Sequence, residues 1–268
     1  MKLTPLHNPK DGQLRVAGLM SGSGSNLRKI IEHENAFTKN KDKSPYTVCC
    51  IASDDSTSNA VTIGEKYSLP VFLNDVFAYY GKRNKPLKDM DVRGEFDSET
   101  KRFLNLYGTQ CAAFAGYMRI ATEILTKNFI SVNVHPGDLS VVEGEHRKYT
   151  GDNAVEKAIR DNAKELRSST ILLESAVTSG KVNALKIDCG KIFMISQPLE
   201  VQLGVEVNMM EKAELKKVIG DHQNKLKEVG DWHIFPLTLQ YIAEGRYAKD
   251  DKGSLYFDGK HIPTGVKL

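Results

Sequence analysis

Asn133 and His135 stand two positions apart in the run Ser131-Val132-Asn133-Val134-His135-Pro136. In extended backbone, residues at that spacing point the same way, so an amide and an imidazole project together. The pair offers hydrogen-bond donation and acid–base chemistry at a single point. Ile130, Val132 and Val134 supply an apolar lead-in, and Pro136 disfavours helical geometry at His135 and ends the strand. The carboxyl end of a strand in an open α/β sheet is where an active site is expected. Taken alone the motif is short, and a capping Asn beside a surface His at a turn would look the same.

A second candidate is Met20-Ser21-Gly22-Ser23-Gly24-Ser25-Asn26-Leu27, which follows an apolar run. Glycines let backbone N–H groups approach an anion, and a helix starting there adds its dipole. Ser23, Gly24, Ser25 and Asn26 are thus candidate phosphate-binding residues. A Walker A loop would need Gly-Lys-Ser/Thr, and a dinucleotide fingerprint would need glycine where Leu27 stands. Asp54 follows the second strand as a ribose-binding acid would, but well beyond the usual spacing of about 20 residues. A ligand-free turn capped by Ser25 or Asn26 is the alternative. Asp188, in Ile187-Asp188-Cys189-Gly190, is either a turn-former or a carboxylate that reaches His135 and raises its pKa; sequence spacing alone cannot join the two.

These groups need elements to position them. Apolar runs alternate with helical patterns, the mark of βαβ units and a mainly parallel sheet with helices on both faces. Strands are expected at 14–19, 47–52, 70–73, 111–115, at the run ending at His135, at 169–173 and at 191–199. Helices are expected at 26–34, 59–67, 97–107, 121–127, 153–162, 211–229 and 232–244, with 75–95 a polar excursion and 136–152 a long loop. The tail 247–263 carries alternating aromatics and Asp258-Gly259 as a hairpin turn. One domain spanning 1–268 is expected, with a polar extension at 1–13 and insertions near 75–95 and 175–186.

Composition limits the classes. The chain has 268 residues, 40% apolar and 26% charged, enough for a sizeable core. A net charge of +3 with interspersed acids argues against a nucleic-acid surface. No apolar run approaches the roughly 20 residues of a membrane span, and the polar start lacks a signal peptide's apolar stretch. Cys49, Cys50, Cys111 and Cys189 show no C-x-x-C spacing, which reads as reduced, structural thiols in a cytoplasmic protein. Adjacent Cys49 and Cys50 in a strand are expected on opposite faces, unable to share a metal or a bridge.

In order along the chain, the loop Ser21 to Leu27, the segment Arg93 to Asp97, Ala115-Gly116-Tyr117-Met118-Arg119-Ile120, Asn133-Val134-His135-Pro136 and Asp188-Cys189-Gly190 resemble the glycinamide ribonucleotide formyltransferase family of folate-dependent formyltransferases. Asp231 to Pro236, followed by a helix and an aromatic hairpin, is similar too. The resemblance covers about residues 14 to 263 and implies a Rossmann-like formyltransferase fold. It implies a catalytic trio of Asn133, His135 and Asp188, and a ribonucleotide phosphate held by Ser23 to Asn26. Arg93 and Asp231 would contact the ribonucleotide, and Met118, Arg119 and Ile120 would line the folate pocket. It also implies 10-formyltetrahydrofolate as co-substrate, small-molecule partners, no metal, and a monomer or homodimer. Departures follow His135-Pro136, where Gly137-Asp138-Leu139-Ser140 stands. The strand position that carries a supporting histidine in the family matches Leu172. Glycinamide ribonucleotide is the expected acceptor. Another amine such as an amino sugar nucleotide, a 10-formyltetrahydrofolate hydrolase, and a non-catalytic nucleotide-binding protein are the alternatives.

Overall fold

The chain is described here by a computed structural model covering residues 2–178, 180–205 and 207–268. Strands β1 (Leu14–Met20), β2 (Tyr46–Ser53), β3 (Val71–Leu73), β4 (Cys111–Phe114), β5 (Ile130–His135), β6 (Ser169–Leu172), β7 (Ile192–Ile195) and β8 (Val266–Lys267) form one sheet. Their spatial order is 8-7-6-5-4-1-2-3. β1 to β5 are mutually parallel, β6 runs antiparallel to both β5 and β7, and β8 lies parallel to β7. The chain builds outward from β1 to β3 and then returns to place β4 on the other side of β1. The crevice at the carboxyl ends of β1 and β4 is therefore the switch point where such sheets bind ligands.

Near-continuous apolar runs fit strands covered on both faces. On one face, α1 (Ser25–Lys39), α2 (Ala60–Tyr67) and α8 (Trp232–Ala243) bury Leu27, Ile30, Ile63, Ile234, Phe235 and Leu239 against the sheet. On the other, α4 (Met90–Leu106) and the short α5 (Glu123–Thr126) contribute Leu104 and Leu125, while α6 (Ala154–Arg160) buries Val155 and Ile159 in a separate cluster. A separate four-stranded antiparallel sheet joins Thr4–Pro5 to Tyr247–Lys249, Leu255–Phe257 and Lys260–His261. Asp258 and Gly259 both have positive φ, 47° and 77°, as the two-residue hairpin signal requires. The residues expected as an N-terminal extension thus supply an edge strand.

Several expectations are corrected. The 75–95 stretch is helical at Val76–Gly81 (α3), and α4 begins at Met90 rather than at Asp97. Asp75 and Asp89 cap these helices, accepting from Ala78 N at 2.8 Å and from Val92 N at 3.2 Å. Residues 136–152 hold a small hairpin, Val142–Glu143 with His146–Arg147, and the 175–186 stretch holds another, Val177–Thr178 with Lys181–Val182. The 121–127 helix shrinks to the four residues of α5. α7 (Lys212–Leu226) does not stop before α8 but runs into it through a π-turn at Lys227–Asp231. Finally, Val16 pairs with Val48 but Ala17 with Cys50, so Cys49 is the extra residue of a β-bulge. The bulge cancels the strand alternation, and Cys49 and Cys50 share one face with their sulfurs 3.9 Å apart.

Candidate active site

β5 delivers Asn133 and His135 to its carboxyl end on one face. Across the ladder Asn133 faces Ile171 and His135 faces Ser169. The position opposite the amide is thus Ile171; Leu172 faces Val132 and packs in the core on the other side. Asp188, in a left-handed turn at φ 55°, brings its Oδ2 to 3.4 Å from His135 Nδ1. Both side chains are almost wholly buried. His135 Nε2 lies 2.7 Å from the Tyr149 carbonyl, so each ring nitrogen faces an oxygen acceptor. Gly151 N donates to Asp188 Oδ2 at 2.9 Å, and the Arg147 guanidinium donates to the Asp188 carbonyl. Burial draws the Arg147 pKa down. Asn133 is half-buried, and its side chain has no hydrogen bond among the described residues.

The glycine loop turns β1 into α1. Gly24 sits at φ 68° as the N-cap of α1, and a side chain there would overlap Ile63 and crowd Met20. Both the angle and the space demand glycine. Ser23 turns its carbonyl toward Arg28 and Asn59, at 2.7 and 3.3 Å. The first N–H groups of α1, a 15-residue helix, are left to point out of the turn, the arrangement that suits an anion.

Asp231 ties this loop to the β5 end. Set at the close of the π-turn, it accepts from Ser168 Oγ at 2.6 Å and from Asn26 Nδ2 at 3.3 Å. Burial raises its pKa; the two hydrogen bonds and the nearby charges of Lys227 and His135 oppose that rise. The glycine loop therefore touches Asp231, and His135 is near enough for its charge to act on that carboxylate.

Met118, Arg119 and Ile120 lie on the turn after β4, across the switch point from the glycine loop. Ser21 N donates to the Gly116 carbonyl at 3.0 Å and Met118 N to Ser21 Oγ at 2.9 Å, which fixes the turn against β1. Met118 is 63% exposed, so this surface is open. Arg119 lies over the Phe77 ring and 3.7 Å from the buried Asp54 carboxylate. Asp54 is thus turned to Arg119 rather than toward a ribose.

Arg93 is not brought to this group. It is buried inside α4, pairs with Asp97 at 3.1 Å and donates to Tyr117 Oη at 2.8 Å. Burial alone would lower its pKa, but Tyr117, Asp97 and Asp54 outweigh that and raise it. His146 is exposed on its hairpin. Among the described residues no three His, Cys, Asp or Glu side chains are arranged to hold a metal ion, and no helix is long and apolar enough to cross a membrane. Sequence reasoning missed Ser168, Arg147, Tyr149 and Gly151. Ser168 opens the polar run Ser168-Ser169-Thr170 at the start of β6, which carries no distinct signal; the other three act from a loop whose path no periodicity reports.

No family model matches the chain. The chain is 22% identical over 252 residues to the phosphoribosylglycinamide formyltransferase of Escherichia coli (strain K12), spanning 93% of this chain and 96% of that protein. The structure of the phosphoribosylglycinamide formyltransferase from Coxiella burnetii superposes with a TM-score of 0.66 at 19% identity, covering 96% of this chain and 99% of that one. A formyltetrahydrofolate deformylase from Pseudomonas syringae pv. tomato superposes with a TM-score of 0.61 at 14% identity, covering 91% and 66%. The resemblance carried by the motifs is borne out: the chain is similar in sequence to phosphoribosylglycinamide formyltransferases and has their fold.

Proposed function

We propose that this chain transfers a formyl group from 10-formyltetrahydrofolate to the amine of a phosphorylated ribonucleotide, glycinamide ribonucleotide being the acceptor that best suits the loop. The observation that carries the reading is the joining of Asn133, His135 and Asp188 to an anion-ready helix start through Asp231. Folate would lie along the open turn at Met118, Arg119 and Ile120, and the ribonucleotide phosphate against Ser23 to Asn26. Asp231 would face the sugar. Arg93 would act from behind this turn, through Tyr117, rather than by touching the ribonucleotide.

The folate donor supplies the formyl carbon; this chain's residues manage charge and protons. As the acceptor nitrogen bonds to that carbon, negative charge gathers on the formyl oxygen. The unengaged Asn133 amide can donate to that oxygen, and one preorganised donor of this kind is worth roughly 3–4 kcal/mol of barrier. His135 stabilises the same charge from 3.4 Å in front of Asp188. Asp188 accepts the amine proton through water, and the proton returns to the departing folate nitrogen. The Tyr149 carbonyl must give way before His135 Nε2 can bond to the substrate.

A hydrolase releasing formate is the second reading. The fold it shares with a formyltetrahydrofolate deformylase supports this reading. The test follows absorbance as 10-formyltetrahydrofolate is consumed with and without glycinamide ribonucleotide. Consumption that requires the ribonucleotide supports the transferase; consumption without it supports the hydrolase; neither, with no folate binding, overturns both.

A further inference from the structure

The bulge in β2 has made a feature that strand alternation would forbid. Cys49 and Cys50, neighbours in sequence, present their sulfurs on one face 3.9 Å apart. Thr109 Oγ1 sits 3.5 Å from the first sulfur and 3.7 Å from the second, and the Val16 carbonyl lies 3.3 Å from Cys49 Sγ. Cys111 is on the neighbouring side of β1 but packs in the opposite core cluster, so it is not part of the pair. The site lies away from the carboxyl ends of the strands and takes no part in the proposed reaction.

We infer that Cys49 and Cys50 form a bidentate dithiol site for a thiophilic trivalent centre, the class represented by organic arsenic(III) oxides. The spacing is the first reason: two sulfurs this close can bind one soft atom together. Reactivity is the second. The hydrogen bond from Cys50, with help from Thr109 and the Arg15 charge, lowers the Cys49 thiol pKa below its ordinary value, against the effect of burial. The thiolate is the reacting form; both sulfurs are buried, and Cys49, at 8% against 0%, is the one the reagent meets first. Attack by Cys49 followed by closure from Cys50 gives the bridge. With phenylarsine oxide, two As–S bonds form, the As–O bond breaks, and both thiol protons leave in one water. No oxidant or reductant is needed.

The test incubates native protein with phenylarsine oxide, washes with a monothiol, and weighs the intact chain. One phenylarsenic should remain per chain, be removed by a dithiol, and survive in Cys189→Ser, which lacks the exposed thiol. Cys49→Ser and Cys50→Ser should each lose retention by about a hundredfold or more, because chelation depends on the effective concentration of the second sulfur. Should either variant fold poorly, wild type answers alone: after arsenical treatment and denaturation, Cys49 and Cys50 should resist alkylation while Cys111 and Cys189 react. No adduct on native protein, an adduct formed only after unfolding, or protection centred on Cys111 or Cys189 would overturn the site.

Discussion

Asn26 and Asp231 lie 205 positions apart in the chain, yet the Asn26 amide donates to the Asp231 carboxylate at 3.3 Å in the interior. That contact joins the loop expected to hold phosphate to the helix that closes the domain. Burial raises the Asp231 pKa, so between its unfolded and folded values the folded protein binds the extra proton. Stability from this group therefore falls as pH rises through that window. Asp231→Asn removes the effect, and its amide can serve the Asn26 Oδ1 that otherwise has no partner. Relative to wild type, the variant should gain stability in urea unfolding as pH rises from about the ordinary Asp value. A constant difference above that value would show that Asp231 does not titrate there.

Asn133→Ala should lower formyl transfer by about a hundredfold or more, because it deletes the one donor left unengaged at the β5 end. The melting temperature should barely move, since the side chain makes no hydrogen bond among the described residues. Turnover equal to wild type would remove Asn133 from the mechanism.

Arg93→Met leaves Asp97 buried with only its Thr122 bonds, at 2.7 and 2.8 Å. Breaking a buried pair from one side costs about 3–5 kcal/mol, which denaturant titration would detect. The KM for the ribonucleotide in the remaining folded enzyme should stay near wild type. A large rise in that KM with normal stability would instead put Arg93 on the substrate.

Two glycines separate cleanly. A Cβ at Gly190 would overlap the Leu172 carbonyl oxygen, which is backbone and cannot rotate away. Gly190→Ala should cost about 1–3 kcal/mol and, by shifting Asp188 two residues upstream, reduce turnover as well. Gly22 has open space around its Cβ position, so Gly22→Ala should stay within about 0.5 kcal/mol. Thermal melts of the two variants decide the point.

The sheet was legible because its strands are apolar runs bounded by turn residues, and Asn133 with His135 because period two is a property of any strand. Asp188 could be joined to His135 only by resemblance; the structure supplies the 3.4 Å. α3 and the first turns of α4 were hidden by Gly81, Pro86 and Gly94, although Asp75 and Asp89 were standing there as caps. The shared face of Cys49 and Cys50 was out of reach for a different reason. A bulge is a property of two paired strands, and neither strand announces it alone. Arg93 was assigned to the ribonucleotide only by resemblance; its burial against Asp97 depends on how α4 packs.

The π-turn at Lys227–Asp231 makes the length of one helix a functional quantity. A π-turn holds one residue more than an α-turn, and each residue swings later side chains by about 100°. Deleting any single residue from 227 to 230 would let the segment relax to regular α-helix while every buried side chain of α8 kept its place. Asp231 would then no longer sit at the close of a widened turn, the position from which it reaches Asn26 and Ser168. Along this stretch residue count matters as well as residue type: Gly230 has no room for a side chain beside Ser168, and related chains that keep the carboxylate should also keep the extra residue.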